Sequence, residues 1–128
     1  MSYCNTKIVA LPFDKAIEKV TEELKKEGFG ILSEIDVKAT LKKKLDVDFR
    51  NYKILGACNP PFAYKALQAE ENIGVLLPCN FIVQEKAEGE VQISAVNPLE
   101  SMQAVGNVEI AAIAGEIADR IERVLEKL

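Results

Sequence analysis

The chain has 128 residues, 48% hydrophobic and 28% charged, which excludes a disordered or collagen-like polymer and fits one domain with a real core. Lys and Arg number 16 against 20 Asp and Glu, a formal charge of −4, and the only dense basic cluster is Lys42-Lys43-Lys44; such a run reads as a solvated helix face, so no nucleic-acid partner is expected. No apolar run reaches the roughly 18 to 20 residues of a membrane helix. The opening "MSYCNTKIVALPFDK" lacks a secretory pattern, so the expectation is a cytoplasmic single domain, residues 1–128, with no membrane partner.

Taken in order, residues 3–11, "YCNTKIVAL", read as a strand rich in β-branched residues. After Pro12, the spacing of Phe13, Ala16, Ile17, Val20 and Leu24 predicts a helix with Asp14 in its first turn and Gly28 as its stop. Phe29 to Val37 alternate as a second strand. "DVKATLKKKL" predicts a short helix capped by Asp36, with Val37, Leu41 and Leu45 on one side. "YKILGACN" reads as a third strand, and "PFAYKALQAEENIG" as a helix that turns Phe62, Ala63, Ala66, Leu67 and Ile73 inward and ends at Gly74.

"CNFIVQEK" and "EVQISAVN" follow as two strands joined by Ala87-Glu88-Gly89, a connection of hairpin length. In the second, Val91, Ile93 and Ala95 alternate with Gln92 and Ser94, the mark of an antiparallel sheet with helices on one face. Residues 107–128 carry an apolar helical stripe of Ile110, Ile113, Ile117, Ile121, Val124, Leu125 and Leu128. Its far side predicts Glu116–Arg120 and Asp119–Arg123 pairs. Gly115 costs such a helix about 1 kcal/mol relative to Ala, which predicts a close approach there.

Catalytic signals are sparse. Histidine is absent, which removes the commonest general base and zinc ligand. No phosphate-binding loop, nucleophile elbow or dinucleotide fingerprint occurs, so no cofactor is expected. Acidic pairs such as Glu34 with Asp36 are what 20 acids place on a solvated surface.

The remaining candidates gather at "GACNPPFAYKAL" and "LLPCNFIV". Asn before Pro is driven to extended dihedrals and makes a good N-cap, with Pro at the first helical position. Asn59 is thus expected to cap a helix beginning at Pro60, and Asn97 one beginning at Pro98. Cys58 then precedes the cap, where the helix dipole favours a thiolate. Cys79, after Pro78, would lie beside it if the two strands pair antiparallel. Against this, free Cys is often buried as a small hydrophobe, and two thiolates without histidine make a poor zinc site. Cys58, Asn59, Pro60, Pro78 and Cys79 are accordingly the candidate thiol or ligand site, with no metal expected.

Gly56, Cys58, Asn59, Pro60, Ala63, Ala66 and Leu67, then Leu77-Pro78-Cys79 and Asn97-Pro98, make the chain resemble the family catalogued as domain of unknown function 302. The likeness spans nearly the whole chain; Cys4 lies outside it. It implies a two-layer α+β domain, a curved antiparallel sheet packed against helices in the order β-α-β-β-β-β-α with extra short helices, similar to the TATA-box-binding-protein arrangement. It implies no activity. The expectation is a binding module for a small apolar ligand or a protein partner, a homodimer included, because apolar residues such as Ile82 and Val96 on the second alternation need cover. The alternative is a thiol-dependent redox enzyme or sensor with Cys58 attacking and Cys79 resolving.

Overall fold

A computed structural model describes residues 2–87 and 89–128. The strands are β1 (Cys4–Val9), β2 (Gly30–Asp36), β3 (Tyr52–Cys58), β4 (Cys79–Ala87) and β5 (Glu90–Val96). The helices are α1 (Phe13–Lys26), α2 (Val37–Leu45), α3 (Pro60–Ala69), α4 (Pro98–Ser101) and α5 (Val108–Glu126), with 3-10 turns at Ile73–Leu76 and Gln103–Val105. The strands form one antiparallel sheet in the order β1-β5-β4-β3-β2. This is the expected α+β order, with α2, α3 and α4 as the added short helices.

α1 buries Ala16, Val20 and Leu24 at four-residue spacing and lies on β4 and β5 beside α5. It ends where Gly28, at φ +87°, donates its N–H to the Lys25 carbonyl and Phe29 donates to Leu24. That pair of bonds is a Schellman closure, and only glycine takes its left-handed dihedral without strain. Phe29 and Leu24 then join one core with Leu55, Ala57, Phe81, Val83, Val91, Ile93 and Ala95 from the sheet and Ile117, Ile121, Val124 and Leu125 from α5. A smaller core of Ala66, Ile73, Met102, Ile110 and Ala114 lies between α3, α4 and the first half of α5.

Several expectations are corrected. The alternation of β2 breaks, because Ile31 pairs with Ala57 and Ser33 with Gly56, so Leu32 is the extra residue of a bulge and points out, 70% exposed. α3 stops at Ala69 rather than Gly74. Glu70 turns extended, and the Ala69 carbonyl accepts from Asn107 Nδ2 at 3.1 Å; Gly74 lies within the following 3-10 turn and Leu67 faces outward.

No atom stands within 4 Å of where a Gly115 side chain would begin, since this position lies on the flank of α5 rather than on its buried stripe. The two expected ion pairs on α5 are replaced by bonds to the end of α1. Arg120 Nη1 donates to the Glu27 carbonyl at 2.9 Å and Arg123 Nε to Glu27 Oε1 at 3.0 Å. The helix C-terminus offers Arg120 a carbonyl in a region of negative potential, and Arg123 takes the largely covered Glu27 carboxylate in place of an exposed i,i+4 partner.

Other caps fall where the sequence puts them: Asp36 Oδ1 accepts from the Ala39 N–H at 2.9 Å. The β4–β5 connection closes with Ala87 opposite Glu90 and Gly89 at φ +81°, while Glu88 lies outside the described residues.

Candidate functional site

Ala57 pairs with Cys79, so the end of β3 and the start of β4 adjoin, as antiparallel pairing requires. Both thiols are free, Cys58 half-buried and Cys79 buried. Burial first, and then the nearby Cys58, push the Cys79 thiol up to about 11, because a thiolate there would lose its hydration. Cys79 is therefore a neutral thiol at physiological pH. Gly56 is required beside it, since an added Cβ would run into Ser33 Oγ and stand 2.8 Å from Pro78 Cγ.

Above this junction is a cavity of about 260 Å³. It lies along the seam of the two cores: Phe29, Ala57, Phe62, Cys79 and Ile117 belong to the larger, Ala66 and Met102 to the smaller, with Leu77 and Ile113 against it. The space exists because the side chains where the cores meet are short: Ala57, Cys58, Ala63, Ala66 and Cys79 all line it. Leu32 and Leu67, both exposed, also line it. Four of the five candidate residues, Cys58, Asn59, Pro78 and Cys79, share this lining, whereas Pro60 is exposed and outside it.

Asn59 occupies the N-cap of α3 with φ −106° and ψ 100°, as expected, but its side chain makes no cap bond. The cause is local. A capping oxygen bonds the N–H two or three residues on; the second residue is Pro61, which has none, and the third, Phe62, has an N–H that Asn59 does not take. Instead Nδ2 donates to the Glu27 carbonyl at 3.1 Å, which the Arg120 guanidinium shares while lying 5.1 Å over the Phe62 ring. Asn59 is only 7% exposed. Of the lining residues it alone has nitrogen or oxygen in its side chain.

Residues outside the sequence candidates complete the wall. Ile113 and Ile117 were visible only as part of the α5 stripe, and Phe29 as the apolar residue after a helix-ending glycine. Leu32 had no local signal, because a bulge depends on the partner strand.

The opposite sheet face carries Ile35, Ile54 and Ile82 in one row across β2, β3 and β4. Polar pairs flank the row: Thr6 Oγ1 lies 2.8 Å from Ser94 Oγ, and Arg50 Nε donates to Gln84 Oε1 at 3.0 Å. Glu34 is taken up by Lys53 at 2.8 Å.

The family model for the domain of unknown function DUF302 matches residues 5–128. The chain belongs to the DUF302 family. Its fold is similar to the crystal structure of an uncharacterised conserved DUF302 protein from Bacillus stearothermophilus, at 29% identity and a TM-score of 0.91 over 99% of this chain and 98% of that one. No curated protein matches it. Among the described residues of this DUF302 chain no helix is long and apolar enough to cross a membrane, and no group of three or more His, Cys, Asp or Glu is placed to hold a metal.

Proposed function

We propose that this DUF302 chain binds a small, largely apolar molecule in the cavity between α3, α5 and the β3–β4 junction. The observation that carries this is a lining with one polar side chain among hydrocarbon and sulfur. An apolar cavity of roughly 150 Å³ holds a benzene ring and drug-sized sites begin near about 300 Å³, so 260 Å³ suits a single ring with a short substituent. Thiol exchange is less well supported, because burial keeps Cys79 protonated and so a poor resolving nucleophile.

Titration with toluene, followed by amide NMR, tests the reading. Shifts should cluster at Phe29, Phe62 and Ile117 and disappear in Ala63→Phe, whose added ring fills the space. Shifts scattered over the surface, or unchanged in that variant, reject it.

The Ile35–Ile54–Ile82 row supports a second role, self-association, on a face whose central positions Asn80, Gln84, Gln92 and Ser94 are uncharged and meet their own two-fold copy without repulsion. Sedimentation should then show a dimer that Ile54→Lys dissociates; a monomer throughout removes this role.

A further inference from the structure

We propose that Asn59 Oδ1 is the polar anchor of the cavity and that its ligand carries a hydrogen-bond donor, an alcohol or an N–H group, on an apolar body. This rests on the cavity being a binding site. The orientation of the carboxamide is set by its partner. A carbonyl only accepts, so the group facing the Glu27 oxygen at 3.1 Å must be the NH₂; the reversed amide would set two oxygens against each other beside the Arg120 donor. Oδ1 therefore faces away from Glu27.

Among the described residues that oxygen accepts no hydrogen bond: it does not cap α3, and the side-chain bond Asn59 makes is through Nδ2. Nor is it sealed in, because no buried side-chain oxygen or nitrogen is left without a partner. A residue 93% buried that lines the cavity thus keeps an open acceptor. With hydrocarbon and sulfur as its neighbours in the lining, that acceptor is met by water or by a ligand, so a ligand that supplies a donor is favoured over one that supplies a second acceptor. The lining holds no Lys or Arg, so a carboxylate would meet Oδ1 with no compensating charge. The ligand class is a neutral, compact alcohol, phenol, amide or amine-type N–H compound.

The test uses the unmodified chain and two compounds of one carbon skeleton, 1-phenylethanol, which donates, and acetophenone, which only accepts. Affinities come from NMR titration, with the amides of Phe29, Phe62 and Ile117 reporting the place. The alcohol should bind about tenfold more tightly and shift the Asn59 side-chain NH₂ signals. Equal affinities, with shifts still at the cavity, would overturn the anchor and leave the binding reading standing. If neither compound moves the cavity amides, both are overturned.

Discussion

At Asn97-Pro98 the carboxamide oxygen accepts from the Leu99 N–H at 3.2 Å while Nδ2 donates to the Ser2 carbonyl at 3.3 Å. At Asn59-Pro60 the same dipeptide starts a helix with the same extended backbone, yet the oxygen caps nothing. The second helical position, whose N–H caps onto Asn97, is Leu99 in one case and Pro61 in the other, and at Asn59 the third-position N–H of Phe62 is not taken either. Both asparagines also tie their helix to a distant carbonyl. Asn107 repeats this at α5, where Oδ1 accepts from the Glu109 and Ile110 N–H groups and Nδ2 donates to Ala69. Of these three asparagines only Asn59 leaves its oxygen without a capping bond, and it lines the apolar cavity. The Asn97 bonds are exposed. A polar atom's role follows from which neighbouring donors the backbone leaves available and what lies on its open side.

Burial of Cys79 beside Asn59's cavity has the largest expected effect. The Cys79 thiol rises from an ordinary 9.0 to about 11 in the folded chain, so its contribution to stability is full below pH 9 and is lost as pH climbs from 9 to 11. The loss is roughly 3 kcal/mol. Lys26 and Lys53, whose ammonium groups are held above their usual range chiefly by hydrogen bonds to Glu23 and Glu34, lose stability in the same direction. Urea unfolding of Cys79→Ala against the parent isolates the thiol: the variant should show the shallower alkaline decline, and identical slopes would mean that the junction is wet.

Next in size is the difference between the two asparagines. Asn59→Ala removes a part-buried bond to Glu27 and should cost about 2 kcal/mol. Asn97→Ala removes an exposed cap and should cost about 1 kcal/mol. Equal losses by denaturant titration would erase the distinction.

Gly115→Ala lies away from both junctions in open space and should raise stability by about 1 kcal/mol, a reference for what helix propensity alone contributes. The smallest effect on stability, within about 1 kcal/mol, belongs to Pro61→Ala, but it is the sharpest test of cause. Restoring an N–H at the second position should draw Asn59 Oδ1 into a cap and abolish the preference for 1-phenylethanol over acetophenone. An unchanged preference would show that Pro61 is not what frees the oxygen.

The parts readable from sequence are those decided within a few residues. The stripe Ala16, Val20 and Leu24, the stop at Gly28, the Asp36 cap, and the alternation of Val91, Ile93 and Ala95 follow from periodicity and turn chemistry. Glu116 and Asp119 were the nearest partners in sequence for Arg120 and Arg123, but Glu27 lies across the packed helices. Gly115 read as a contact because a helical glycine needs a reason, and the reason could not be placed without knowing which face of α5 is covered.

By itself the sequence determined the element order, the antiparallel sheet, the buried faces and the asparagine at the head of α3, because these rest on local propensity and on one-sided burial. The tertiary structure decided the cavity, since it is the volume left where two cores of short side chains fail to close on each other. It also decided the chemistry of Asn59. Proline removes one of the two local donors, Glu27 and Arg120 are brought in from the end of α1 and from α5, and the oxygen is left without a bond in a residue that lines an apolar space no single stretch of the chain encodes.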